Sequence, residues 1–279
     1  AMTAPLPNTP LDPALEYSMD HKKRGFFIII NQVKFESRTG QKERTGSDLD
    51  AAKLEETFKI LGFNVLPFRN LKLADLRRLL AEYGQKDHSD NDCFGLAMMS
   101  HGEQDIIYCT DGSLKVDELT KPFRADNCAS LIGKPKLFFF QACRGFTFDD
   151  GVEKTDADLP EDEDLEEERV QRLPIEADNF FFYSTPPGYF SWKNALYGSW
   201  FIQELCRVLD QWGTRHEFSQ LMVSVQREVA SNRHESLTDR AATSRKKQMP
   251  VSVSQLTKLL YFRPKLPPQL PRVAPSSES

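Results

Sequence analysis

Ten residues, Lys136-Leu-Phe-Phe-Phe-Gln-Ala-Cys143-Arg-Gly145, limit the possible folds of this chain more than any others. A run of apolar and aromatic β-formers stops abruptly at a glutamine, a cysteine and a glycine. The run is far shorter than the ~18 apolar residues that cross a bilayer, and too aromatic for an average helix, so it reads as a buried strand. Open α/β sheets keep their chemistry in the crevice beyond the carboxyl ends of such strands, and Cys143 falls there. Phe94-Gly-Leu-Ala-Met-Met99 is a second run of this kind, and Ser100-His101-Gly102 follows it. Two catalytic-type side chains thus stand at the ends of two predicted strands.

The remaining sequence alternates strands and amphipathic helices. Residues Gly25 to Ile30 read as a first buried strand, followed by a polar loop from Asn31 to Gly46 that is long enough to be functional. Ser47 with Asp50 three residues on resembles a capping box, and Leu49, Ala52, Leu54, Phe58 and Leu61 form an apolar helical stripe. Gly62 ends that helix and Phe63 to Phe68 is the next strand. Leu73 to Tyr83 repeats the helical pattern; Ile106 to Cys109 and a helix over Val116–Phe123 lead to the Cys143 strand. Order resumes at Asn179–Thr185, a strand broken by Pro186-Pro-Gly188, followed by helices over Ser199–Trp212 and His216–Ala230. A polar loop, Ser231–Lys247, precedes an alternating strand through Val251, Val253, Leu256 and Leu260. This order is that of a mostly parallel sheet covered on both faces.

Five cysteines without CxxC spacing (Cys93, Cys109, Cys128, Cys143 and Cys206) suit a reducing cytosol better than a disulfide framework or a zinc site. Ala1 to Pro13 lacks the basic and apolar regions of a signal peptide. The net charge of −5 hides an asymmetry, because twelve of the twenty residues from Asp149 to Glu168 are acidic and only Lys154 offsets them. A mildly basic body therefore carries an acidic insert. Such a body favours carboxylate-bearing partners, and the insert reads as exposed linker.

From about Tyr17 to Phe262 the chain resembles the catalytic domain of a caspase, of the executioner kind. Five motifs carry the likeness in order: Arg44-Thr-Gly-Ser-Asp48, Ser100-His-Gly102, Gln141-Ala-Cys-Arg-Gly145, Ser191-Trp192 and Gly198-Ser-Trp-Phe201. The resemblance implies an α/β three-layer sandwich, a mostly parallel six-stranded sheet with helices on both faces. It divides the chain into a short disordered N-terminal segment (1–16), a large subunit (17–156), an acidic intersubunit linker (157–173), a small subunit (174–262) and a Pro-rich disordered tail (263–279).

It also implies peptide-bond cleavage by a thiolate. Cys143 would be the nucleophile, and His101 would support the thiolate and later protonate the leaving amine. The main-chain N–H groups of Gly102 and Cys143 would hold the negative oxygen of the intermediate, Gly102 letting substrate approach its backbone. No third member of a triad is legible. Caspases cut after aspartate, using two arginines and a glutamine. Arg44 and Gln141 match two of these, while Lys193, just after Ser191-Trp192, stands where the second arginine is expected. Lysine keeps the charge but loses the planar fork, so Asp selectivity is expected to survive with weaker binding or slower turnover. Phe190 and Trp192 are assigned to the second subsite. Asn194 and Trp200 go to the fourth, although Trp200 fits a core position of its helix equally well.

Caspases are made as poorly active single chains and are activated by cutting the linker. Glu153-Lys-Thr-Asp156 followed by Ala157 is the best candidate, with Asp150, Asp158 and Asp164 as alternatives. The shortness of the segment before Tyr17 fits the executioner kind. The expected setting is the cytoplasm during apoptosis. Expected partners are protein substrates with the scissile aspartate, an upstream activating caspase, inhibitor proteins and a second copy of the large/small pair. No cofactor, metal, nucleic acid or membrane is called for. A second reading, a weakly active or pseudo-caspase regulator acting by dimerisation, rests on Lys193 alone.

Overall fold

A computed structural model describes residues 15–103, 105–145, 174–189, 191, 193–194, 198–231, 236, 244 and 246–265, with the main chain alone at 193–194. Eleven strands and five α-helices follow one another among them. The first part comprises β1 (Phe26–Asn31), α1 (Ser47–Ile60), β2 (Asn64–Arg69), α2 (Leu73–Gln85), β3 (Phe94–Met99), the small strands β4 (Gly102–Glu103), β5 (Ile106–Tyr108) and β6 (Ser113–Lys115), α3 (Val116–Thr120) and β7 (Lys136–Gln141). The second comprises β8 (Asn179–Tyr183), β9 (Lys193–Asn194), β10 (Gly198–Ser199), α4 (Trp200–Trp212), α5 (Phe218–Ala230) and β11 (Val251–Ser254).

Six strands form the central sheet in the order β11-β8-β7-β3-β1-β2. All neighbours are parallel except β11, which runs antiparallel to β8. The inner strands are buried on both faces because their alternate side chains enter two different cores. Phe27, Ile29, Leu137, Phe139, Phe180 and Phe182 meet Leu54 and Phe58 of α1 and the apolar faces of α4 and α5. Ile28, Ile30, Leu96, Phe138 and Phe140 meet Leu76, Leu79 and Leu80 of α2 together with Leu119 and Phe123. The expected three-layer sandwich is thus present, and the long apolar runs are the inner strands.

Some local expectations give way to tertiary contacts. Ser47 and Asp50 form no capping box. The N-cap is Gly46 with φ of 83°, the Ser47 hydroxyl donates to the Arg44 carbonyl, and the Asp50 carboxylate turns away to Ser199. The buried stripe of α1 also departs from the apolar pattern. Leu49 is 49% exposed and Ala52 is exposed, whereas Ser47, Asp50 and Thr57 are buried beside Leu54 and Phe58. The predicted final strand is shorter than its alternation, because Leu256 and Leu260 lie beyond β11, Leu260 fully buried. Residues at both ends of the described chain are also tied down. Leu15 accepts the Leu259 N–H, Glu16 pairs with Arg263, and Lys265 donates to the carbonyls of Met19 and His21.

The ring of Phe58 stacks on Phe27 at 3.6 Å and meets Phe63 and Phe139 edge-on. Phe58→Ala is therefore expected to cost about 3–5 kcal/mol in urea unfolding, whereas Leu49→Ala on the same helix changes stability by about 0.5 kcal/mol or less. Lys136 gives a pH-dependent counterpart. It is 1% exposed, donates to the Lys134 carbonyl at 3.1 Å, and burial pulls its ammonium down to about 8. The unfolded chain holds this proton up to ~10.4, so between the two values it binds more protons than the folded chain, and folding strengthens as pH rises. Unfolding followed from pH ~7 to ~10 is expected to move the parent upward relative to Lys136→Met by about 2–3 kcal/mol.

Candidate active site

The parallel pairing of β3 with β7 puts Met99 opposite Gln141, and the Ser100 N–H donates to the Gln141 carbonyl. The chain segments that continue as His101-Gly102 and as Ala142-Cys143 therefore leave the sheet side by side. Gly102 is where they meet. A Cβ there would lie 2.9 Å from the Cys143 carbonyl oxygen, 2.9 Å from that of Ile106 and 3.1 Å from the Ala142 side chain. The Cys143 loop and the Ile106 carbonyl both exclude a side chain at this position.

His101 is held by its own loop and by the polar loop after β1. Its Nε2 lies 2.8 Å from the main-chain carbonyl of Lys42, and its ring faces Phe35 at 5.0 Å. A carbonyl can only accept, so Nε2 carries the proton and Nδ1 is the basic nitrogen of the neutral ring. The partner of His101 is thus a backbone oxygen, which no side-chain motif can advertise. Lys42 gives no sign of it beyond lying two residues before Arg44.

Cys143 is only partly buried, and its sulfur accepts the Ser191 N–H at 3.5 Å. The same sulfur lies 4.0 Å from the Ser191 carbonyl oxygen. The buried cysteines contrast with it: burial pushes Cys109 and Cys206 up to about 12, and Cys93 higher still, so they stay inert thiols. Ser191 also joins the nucleophile to Gln141, whose amide Nε2 donates to the Ser191 hydroxyl at 2.9 Å. The Gln141 Oε1 is buried with no hydrogen-bond partner among the described residues.

Arg44 is 5% exposed, and its guanidinium donates to the Gln32 carbonyl at 2.8 Å and to the Asn31 side-chain oxygen at 3.5 Å. Burial pulls it down to about 10, opposed by the charges of Asp50, Cys143 and Asp48. A buried cation whose hydrogen bonds go to neutral oxygens favours a carboxylate brought to it.

Contacts join Cys143 to Gly102, Ser191 and Gln141 at the carboxyl end of the sheet, while His101 precedes Gly102 and is held by the Lys42 carbonyl, two residues before Arg44. Trp200, the first residue of α4, is partly buried and packs against the core that α4 and α5 share. The main chain of Lys193 and Asn194 forms β9 and pairs with Ser199 and Gly198. Phe190, Trp192, Asp156 and the side chains of Lys193 and Asn194 lie outside the described residues. Among the described residues no group of three or more His, Cys, Asp or Glu could hold a metal, and no helix is long and apolar enough to cross a membrane.

Gly102→Ala tests the contact between the two loops. The added methyl displaces the Cys143 carbonyl, and since misplacement by about 1 Å costs roughly a hundredfold, kcat/KM is expected to fall by about that factor. Stoichiometric iodoacetamide labelling of Cys143 checks that the thiol is still present.

The comparisons with known proteins agree with this geometry. The family profile described as Caspase domain matches residues 24–261. Caspase-7 of Gallus gallus is 46% identical over 252 residues, covering 90% of this chain and 81% of its own length. Caspase-3 of Mesocricetus auratus is 43% identical over 246 residues, covering 88% and 86%. The crystal structure of Caspase-1 from Spodoptera frugiperda superposes with a TM-score of 0.83 at 39% identity, covering 92% of this chain and 99% of that one. A parallel sheet that sets a cysteine beside a histidine, and a family profile that spans nearly all of it, have one common reading: the chain belongs to the caspase family of cysteine endopeptidases.

Proposed function

We propose that this chain is an executioner-type caspase that cleaves proteins after aspartate during apoptosis, with Cys143 as nucleophile and His101 as its base. The observation that carries the reading is the Cys143 sulfur held by the Ser191 N–H beside a histidine whose Nε2 is fixed on the Lys42 carbonyl. The basic Nδ1 takes the thiol proton, the thiolate attacks the scissile carbonyl, and the imidazolium returns the proton to the departing amine. The N–H groups of Gly102 and Cys143 stabilise the oxyanion, and water then releases the acyl group from sulfur. Arg44, Gln141 and Lys193 receive the aspartate carboxylate. The buried guanidinium of Arg44, whose hydrogen bonds go to neutral oxygens, supports that assignment, because it favours an incoming anion over a neutral side chain. Ser191 serves the substrate by joining Gln141 to the nucleophile.

Phe190 and Trp192 line the second subsite and Asn194 the fourth. Trp200 belongs to the core that it packs against as much as to that subsite. Cleavage after Asp156 activates the single chain, and two large/small pairs associate through β11, an edge strand of the sheet on which Val253 is 46% exposed. The enzyme acts in the cytoplasm. None of the observed contacts favours the regulator reading.

The test is hydrolysis of fluorogenic tetrapeptides ending in aspartate, asparagine or arginine by the parent, Cys143→Ala and Lys193→Arg proteins. The parent is expected to cut only the aspartyl peptide, and Cys143→Ala none. Lys193→Arg, which restores a planar fork, is expected to raise kcat/KM roughly fivefold, worth about 1 kcal/mol. Cleavage after arginine, or full activity of Cys143→Ala, would overturn the assignment.

A further inference from the structure

The first-subsite cations come from distant parts of the chain, Arg44 from the loop before α1 and Lys193 from the β9–β10 hairpin. Arg44 is locked to the first turn of α1, because its carbonyl accepts both the N–H and the hydroxyl of Ser47. Asp50 lies on that same turn, 2% exposed. Its Oδ1 accepts the Ser199 N–H at 2.9 Å, and its Oδ2 accepts the Ser199 hydroxyl at 2.8 Å. Ser199 is fully buried and is the antiparallel register partner of Lys193. Gly198, the partner of Asn194, takes φ of 89°, and a Cβ on it would fall 2.2 Å from the Asp50 Oδ1. The close approach of the carboxylate to the hairpin therefore depends on a glycine at this position.

We propose that Asp50 is a positioning residue for aspartate recognition: it fixes the β9–β10 hairpin against the first turn of α1 and so sets the spacing of Lys193 from Arg44. This deepens the proposed function and rests on its assignment of Arg44 and Lys193 to the first subsite. The carboxylate has a second effect on the same pocket. Its charge works against the desolvation of Arg44 and helps to keep that guanidinium protonated. Hydrogen bonds to a charged, buried carboxylate are stronger than neutral ones, which suits a tie that must hold two segments in one register. Asp50 touches neither the sulfur nor the imidazole in any of these contacts, so its loss should weaken recognition and spare the thiol.

The experiment compares inhibition of the mature enzyme by two tetrapeptide aldehydes that differ only in ending in aspartate or asparagine, alongside the iodoacetamide alkylation rate of Cys143. Asp50→Ala is expected to lower the preference for the aspartyl aldehyde about tenfold with alkylation within about twofold of the parent. Asp50→Asn, which can keep both contacts to Ser199, is expected to recover most of that loss. Ser199→Ala removes the hydroxyl arm alone and is expected to lower the preference about threefold, which provides a reading even if Asp50→Ala does not fold. An unchanged aldehyde preference in the folded variants, or weakening of both aldehydes and of alkylation by one common factor, would overturn the proposal. Arg44→Leu separates the two levels. If it abolishes the preference while the Asp50 and Ser199 variants keep it, the tie is refuted and the pocket stands. If Arg44→Leu also keeps it, the first-subsite assignment itself fails.

Discussion

The parallel register between β3 and β7 is the constraint on which the rest of the site depends. Parallel neighbours end on the same side of a sheet, so pairing Met99 with Gln141 delivers the next residues of both strands to one edge. The chain then needs only two residues after each strand to bring a histidine and a cysteine there. The register itself is fixed by burial on both faces. Slipping β7 by one residue would exchange Phe138 and Phe140 with Leu137 and Phe139 between two differently shaped cores, each already filled. Under the proposed function, the reacting groups stand at the ends of the two-sided inner strands, while Arg44 and Lys193 stand on a loop and on a short hairpin.

How much of this was legible in the sequence follows from the kind of interaction involved. Inner strands were legible because two-sided burial writes long apolar runs, as in Phe94–Met99 and Lys136–Gln141. The positions of Cys143 and His101 just beyond two strand ends were legible because their motifs follow those apolar runs directly. The buried face of α1 was not. Its stripe includes Ser47, Asp50 and Thr57, which are inside because Arg44, Ser199 and Asp210 meet them there. Polar residues satisfied by distant partners cannot be told from surface ones by periodicity. The capping box at Ser47 failed for the same reason, since a carboxylate with two donors across the molecule does not return to its own helix end. The hydrogen bond from His101 to Lys42 was beyond reach, because a carbonyl oxygen belongs to every residue alike.

Ser191 shows how one side chain and its own amide can join two functions. Its N–H meets the Cys143 sulfur while its hydroxyl meets Gln141, so under the proposed function the nucleophile and the specificity pocket share a residue. Movement of the segment around Ser191 would disturb bond-breaking and recognition together.

The pairing of β7 with β8 has a topological consequence. These strands come from opposite ends of the acidic segment, yet they sit next to each other in the middle of the sheet, in register from Lys136–Asn179 to Phe140–Tyr183. Severing the peptide between them leaves the sheet order unchanged and turns an intramolecular contact into an interface between two polypeptides. That interface is made of core: Phe180 and Phe182 are buried among residues of α1, β1 and β7. Two such fragments resemble the halves of a split protein more than a pair of docked domains. Neither half can close its own hydrophobic layer, so the free energy that folds the intact chain becomes the affinity that keeps a cut one together.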